Sequence, residues 1–273
     1  FDGPLARATL SVLVRPYGQG MRLVLSQDIT ERERADAMRR DFVANVSHEI
    51  RTPLTVLAGF QETLVNLPLS EAERHRALSL MQAQTDRMQA LAGDLLTLAQ
   101  LEGSPRPVTD RWVAVEPILE RAVADAALLS MGRHTVERLG GEGAELAGIE
   151  AELLSATSNL LNNAVRYTPE GGRITLAWRW RDDGGAELEV SDTGIGISRE
   201  HLPRLTERFY RVDGSRSRDT GGTGLGLSIV KHVVQRHGGE LRISSEKGKG
   251  SVFSLTVPAA RVRVRDVVES DAA

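Results

Sequence analysis

The sequence predicts an α+β chain, a long helical hairpin followed by a mixed α/β sandwich, and three observations predict it. Apolar residues recur at helical spacing from residue 30 to about residue 102, a Gly/Pro-rich break at Gly103-Ser104-Pro105-Arg106-Pro107 ends that pattern, and beyond it short β-branched runs alternate with helical stretches. At 273 residues the chain holds two compact domains plus a fragment. The expected division is 1–29 for two closing strands of a truncated domain, 30–102 for the hairpin and 103–110 for a linker. Residues 111–258 make the sandwich, and 259–273 a disordered, charged tail.

Composition removes several classes of function. Cysteine is absent, so there is no disulfide, thiolate metal site or cysteine nucleophile. A net charge of −3 gives no electrostatic case for nucleic acid, and 4% aromatics leaves few platforms for stacking bases. No stretch approaches the roughly 18 uninterrupted apolar residues of a membrane span. The chain starts at Phe1 rather than Met and is read as a piece of a longer protein, with any membrane segment upstream.

Taken in order, Leu5 to Arg15 and Met21 to Gln27 form a hairpin about Pro16–Gly20. Thr30 is the expected N-cap of the first long helix, with Glu33 three residues on, and the helix runs to about Asn66. Its apolar stripe is Val43, Val46, Ile50, Leu54, Leu57 and Leu64, expected to be buried. Ser70 and Glu73 make a capping box for the second helix. That helix carries a heptad seam at Leu78, Met81, Thr85, Met88, Ala92, Leu95 and Ala99, widened by Leu91, Leu96 and Leu98. This is more apolar surface than one hairpin covers, so a four-helix bundle formed by a homodimer is expected. The sandwich then reads as one sheet with helices on one face, including a helix near Arg199 and another from Leu225 to His237.

Chemistry-bearing residues fall in both halves. At about 100° per residue, His48 points away from the apolar stripe, Thr52 lies near the same line and Glu49 sits beside it. An imidazole, a carboxylate and a hydroxyl thus share one wet patch, with Pro53 bending the helix beneath them. In the sandwich, Asn159 and Asn163 at i and i+4 present two amide carbonyls on one face, hard neutral ligands suited to Mg²⁺. Arg166 and Tyr167 follow at the helix end. Asp192-Thr193-Gly194-Ile195-Gly196-Ile197 follows a strand and offers a carboxylate acceptor with glycines that let backbone close on a ring. Phe209-Tyr210-Arg211 precedes a polar segment holding Arg216 and Arg218, and Gly222-Thr223-Gly224-Leu225-Gly226-Leu227 opens a helix whose first N–H groups favour phosphate. The other histidines, His75, His134, His201, His232 and His237, lie outside any ligand spacing and are read as structural.

Ser47 to Leu54 resembles the H box of sensor histidine kinases, with Ile50 where that family more often has Leu. Residues 159–168, 192–197, 209–211 and 222–227 resemble that family's N, first glycine, F and second glycine boxes. The resemblance spans about residues 30–258. It implies a dimerisation and phosphoacceptor hairpin followed by an ATP-binding domain of the GHKL or Bergerat type. It further implies that His48 is phosphorylated, that Glu49 accepts its proton and that Thr52 supports the reverse phosphatase reaction. Asn163 is implied as the main Mg²⁺ ligand with Asn159 assisting, Asp192 as the reader of adenine, and Gly222, Gly224 and Gly226 as shaping a lid around the phosphates of ATP. Arg166, Tyr167, Gly194, Gly196, Phe209, Thr223 and Leu225 complete the implied nucleotide site. The implied phosphate acceptor is an aspartate on the receiver domain of a separate response regulator. Residues 28–32 resemble the exit of a PAS sensor domain. Residues 38–48 and 210–221 are similar to the phosphate-sensing branch of the family. That similarity implies phosphate-starvation signalling from the cytoplasmic side of an inner membrane, through an anchor absent from this soluble piece. Two alternatives remain open: a GHKL-type ATPase or serine kinase without histidine phosphorylation, and a catalytically idle dimer that binds a regulator.

Overall fold

A computed structural model describes residues 8–18, 20–212 and 222–265. Arg216 and Arg218 therefore lie outside the described residues. The chain divides into two compact units, Phe1–Gln84 and Thr85–Ala273.

In the first unit, β1 (Leu10–Tyr17) and β2 (Met21–Asp28) form an antiparallel hairpin with Tyr17 opposite Met21. Both strands are exposed on both faces. The pairing runs through Pro16 opposite Arg22, further than expected, because an edge position tolerates the missing N–H. Helix α1 (Thr30–Asn66) starts at Thr30, but Thr30 is not its cap. Asp28 Oδ1 accepts from the Thr30 N–H at 2.9 Å and from its hydroxyl at 2.6 Å, while Thr30 Oγ1 accepts from the Thr9 N–H at 2.8 Å. Strand and helix are thus tied through one side chain, and those two bonds hold the Asp28 carboxyl below the ordinary carboxylate range.

The stripe expected to be buried on α1 is half open, with Val43 58% and Leu54 49% exposed. The single chain does not cover it. Helix α2 (Glu71–Gly103) begins with the expected capping box, Ser70 N–H to Glu73 Oε2 at 2.8 Å and Glu73 N–H to Ser70 Oγ at 3.3 Å. Its buried leucines are Leu91, Leu98 and Leu101, whereas Leu78, Ala92 and Ala99 of the predicted seam stay exposed.

The division between units falls inside α2 rather than at residues 103–110, and the reason is visible in two arginines of the second unit. Arg236 donates to the carbonyls of Leu101, Ser104 and Pro105 at 2.7 to 2.9 Å, and Arg261 donates to that of Pro107 at 2.8 Å. The glycine- and proline-rich break is therefore strapped down, with its carbonyls satisfied by guanidinium groups.

Strand β3 (Trp112–Ala114) leads into α3 (Val115–Ser130), then β4 (Thr135–Leu139), β5 (Ala144–Ala147) and α4 (Glu150–Tyr167). Strands β6 (Arg173–Trp180) and β7 (Ala186–Asp192) follow, then α5 (Gly226–Arg236), β8 (Glu240–Glu246), β9 (Gly250–Val257) and β10 (Val262–Val264). The expected single sheet is two: a five-stranded sheet ordered β4-β6-β7-β9-β8, parallel only at β4–β6, and a three-stranded antiparallel sheet ordered β10-β5-β3. Strand β10 uses residues expected in a loose tail: Val262 pairs with Leu146 and is buried. The helix expected near Arg199 is only a 3-10 turn at Leu202–Arg204. Alternation in β7 buries Ala186, Leu188 and Val190 and leaves Glu187 and Glu189 half exposed, so one face of the larger sheet meets the helices. Helix α4 lies between α3 and α5, and Leu119, Leu160, Leu161, Ile174, Leu176, Ile229 and Val233 fill the core.

Candidate active site

His48 is exposed on α1, as its helical phase requires, and Pro53 is buried five residues on. The absent N–H of Pro53 releases the Glu49 carbonyl from the helix ladder. Around it, hydroxyls turn back onto the backbone: Ser47 Oγ donates to the Val43 carbonyl at 2.9 Å, Thr52 Oγ1 to the His48 carbonyl at 3.1 Å and Thr55 Oγ1 to the Arg51 carbonyl at 3.0 Å. Thr52 is exposed beside His48, but its hydroxyl proton is committed to the helix.

In the second unit a cavity of about 580 Å³ gathers residues from well-separated stretches, among them Asn159, Asn163, Arg166 and Tyr167 of α4, Asp192 at the end of β7 with Gly196 beyond it, Tyr210, and Gly222, Thr223, Gly224 and Gly226 before and at the start of α5. Helix periodicity puts Asn159 and Asn163 on one side of α4 while Leu160, Leu161 and Ala164 are buried. Asn159 donates its amide to the Ser155 carbonyl at 2.9 Å, which leaves its oxygen to face Gly226. A Cβ on Gly226 would stand 2.5 Å from that oxygen, so only glycine permits this approach. Gly224, at φ +75, backs onto Phe209, itself at φ +63, and the Phe209 N–H donates to the Gly224 carbonyl at 2.9 Å.

Asp192 ends β7 with Oδ1 accepting from the Gly194 N–H at 2.8 Å, and the Ser251 N–H donates to it as well. Burial pushes its carboxyl above the ordinary carboxylate range, and those two N–H groups draw it partly back. Tyr210 is held by its hydroxyl on His201 Nδ1 at 2.7 Å and by the Arg204 guanidinium 4.2 Å above its ring. Thr168 also lines the cavity, and its Oγ1 is one of two buried side-chain polar atoms without a partner among the described residues.

Of the sequence-predicted nucleotide residues, Gly194, Phe209 and Leu225 do not line the cavity. Gly194 serves through its N–H on Asp192, Phe209 through the backbone turn against Gly224, and Leu225 is fully buried in the core. The sequence reading missed Ala90 and Asp94, which α2 adds to the cavity wall, and Ser251 and Phe253 of β9. An acidic residue on a helix carries no local signal that a loop more than a hundred residues away will reach it. Elements of this site fit a magnesium-bound nucleotide: two amide oxygens on one helix face, a cation in Arg166, a helix start at α5 and a desolvated carboxylate at the far end of the strand. Among the described residues, no cluster of three His, Asp or Glu could hold a metal by itself, so an ion here would depend on phosphate oxygens and water. No helix among the described residues is long and apolar enough to cross a membrane.

Comparison with known proteins agrees with both halves. Residues 38–104 match the His Kinase A (phospho-acceptor) domain, and residues 148–261 match the histidine kinase-, DNA gyrase B-, and HSP90-like ATPase family. The phosphate regulon sensor protein PhoR of Pseudomonas aeruginosa is 51% identical over 94% of this chain and 58% of its own length. The sensor-like histidine kinase SenX3 of Mycolicibacterium smegmatis is 38% identical over 86% of this chain and 62% of its own. The crystal structure of full-length ShkA in complex with AMPPNP superposes with a TM-score of 0.56 at 27% identity, covering 80% of this chain and 45% of that one. The chain thus spans about three fifths of the length of these two curated relatives. With a phosphoacceptor helix and a GHKL-type sandwich in that order on one polypeptide, and with similarity to phosphate-regulon sensors among others, the chain belongs to the sensor histidine kinases of two-component systems.

Proposed function

We propose that this chain autophosphorylates His48 from Mg-ATP and passes the phosphoryl group to an aspartate on the receiver domain of a separate response regulator. The observation that carries it is the pairing, on one polypeptide, of a solvent-facing imidazole beside a carboxylate with a cavity that supplies amide oxygens, a cation and a desolvated carboxylate.

Asp192 accepts from the exocyclic amino group of adenine, since an ionised carboxylate at the end of β7 is an acceptor only. Tyr167 and Tyr210 flank the cavity, and Arg166 with the N–H groups at the start of α5 meets the phosphates. Asn163, assisted by Asn159, would hold Mg²⁺, which would supply neutralisation of phosphate charge. The outer nitrogen of His48 attacks the γ-phosphorus in line; a P–N bond forms, the bond to the bridging oxygen breaks, and ADP departs with that electron pair. Glu49 takes the proton from the other ring nitrogen, which relieves the positive charge developing on the ring. The Thr52 hydroxyl, tethered to the His48 carbonyl, sets the local helix geometry and supports the reverse, phosphatase direction.

The half-open stripe on α1 and the exposed seam on α2 suit a homodimer in which two hairpins form a four-helix bundle. In the longer protein a membrane anchor upstream would place this part at the cytoplasmic face of the inner membrane, and kinship with the phosphate regulon sensors supports a role in phosphate starvation. Incubation with γ-labelled ATP tests the activity: label that is lost in acid, kept in alkali and absent in His48→Gln supports the reading. Acid-stable label, or label retained by His48→Gln, overturns it.

A further inference from the structure

The cavity has one wall that the kinase reading leaves unexplained. Asp94 of α2 reaches into it, and the Thr223 hydroxyl donates to Asp94 Oδ2 at 2.6 Å. Thr223 Oγ1 in turn accepts from the Leu225 N–H at 3.2 Å, just before α5 begins. Arg166 lies close enough to Asp94 to act on its charge, and it packs against Gly222, where a Cβ would stand 2.5 Å from its Nη1. A carboxylate from the stalk helix therefore engages the loop hydroxyl next to the helix start, with the Arg166 guanidinium nearby, where an anionic phosphate would bind.

We propose that Asp94 is an internal competitor for the phosphate end of the nucleotide: while its carboxylate holds Thr223, it lowers affinity for phosphorylated ligands, and their binding displaces α2 from the cavity wall. The inference rests on the nucleotide reading of this cavity. Two anionic groups cannot share one loop hydroxyl in a half-buried site without mutual repulsion. The penalty grows with ligand charge, so it is largest for a triphosphate and vanishes for adenosine, which has no phosphate to place there. Asp94 thereby makes nucleotide occupancy and the docking of α2 opposing states of one site.

The test is calorimetric titration of the whole chain with AMPPNP in Mg²⁺, with ADP and with adenosine, for the wild type, Asp94→Asn and Asp94→Ala. Asn keeps the shape and an acceptor for Thr223 but removes the charge; Ala removes both, and thermal melting checks that each variant is folded. Both variants are expected to bind AMPPNP about tenfold more tightly than the wild type, the scale of one charge-assisted hydrogen bond, and adenosine within about twofold of it. An AMPPNP affinity that is unchanged or weaker in Asp94→Asn overturns the proposal, as does an equal gain for adenosine. A wild type and variants that bind none of the three ligands would instead sink the nucleotide reading, and this inference with it.

Discussion

Arg236 of α5 and Glu152 of α4 meet in a two-bond pair, Nε to Oε2 at 3.2 Å and Nη2 to Oε1 at 3.1 Å, with 9% and 15% of the side chains exposed. The same guanidinium spends its remaining donors on the carbonyls of Leu101, in the last turn of α2, and of Ser104 and Pro105 just beyond it. One side chain thus joins two helices of the sandwich to the segment that enters it. Removing one partner of a buried pair leaves an uncompensated charge, so Arg236→Ala should cost about 3–5 kcal/mol in urea denaturation. Arg236→Lys keeps the charge but loses the fork, and should fall between. Amide exchange at residues 101–107 should rise in both.

His237, buried beside this pair, should make stability depend on pH. Its Nδ1–H donates to the Val233 carbonyl at 2.7 Å and its Nε2 accepts from the Ile149 N–H at 3.3 Å, so the ring is held neutral. Desolvation lowers its pKa, outweighing the hydrogen bond to Val233 and the nearby Glu152 carboxylate. The unfolded ring takes up a proton first, near its ordinary value of about 6.5, so stability is full above that pH and declines as pH falls toward the lowered folded value. The urea midpoint should drop between pH 8 and pH 5.5, and His237→Asn should flatten that drop.

Gly226→Ala separates site from fold. The added methyl would stand 2.5 Å from Asn159 Oδ1 and must push that side chain away, while alanine in a helix is favoured over glycine by up to about 1 kcal/mol. The melting temperature should hold or rise while AMPPNP binding in Mg²⁺ weakens by at least about tenfold, as expected for one lost interaction of 1.4 kcal/mol or more.

Asp192→Asn makes the complementary case for the base. An asparagine oxygen can still accept from the Gly194 and Ser251 N–H groups, but its amide then meets the adenine amino group donor to donor. Since the carboxylate is already penalised by burial, stability should not fall. Affinity for adenosine and for AMPPNP should drop together by about 10- to 100-fold, the scale of a hydrogen bond to a charged group. A drop for AMPPNP alone would remove Asp192 from the base end of the cavity.

Local pattern carried much of this protein. The phase of α1 alone turns His48 to solvent, the Ser70–Glu73 pair caps α2 as its spacing dictates, and α4 runs over Glu150–Tyr167 as its periodicity requires. These are consequences of helix geometry within a few residues, and a sequence states them directly. What only the tertiary structure decided depends on partners far along the chain. Asp94 enters the cavity because Thr223 is there to meet it, the proline-rich break is strapped because Arg236 and Arg261 reach it, and residues 262–264 become a strand because β5 offers an open edge. A carboxylate, a carbonyl and a short β-branched run look the same in sequence whether solvated or paired; only a partner brought close by the rest of the fold distinguishes them.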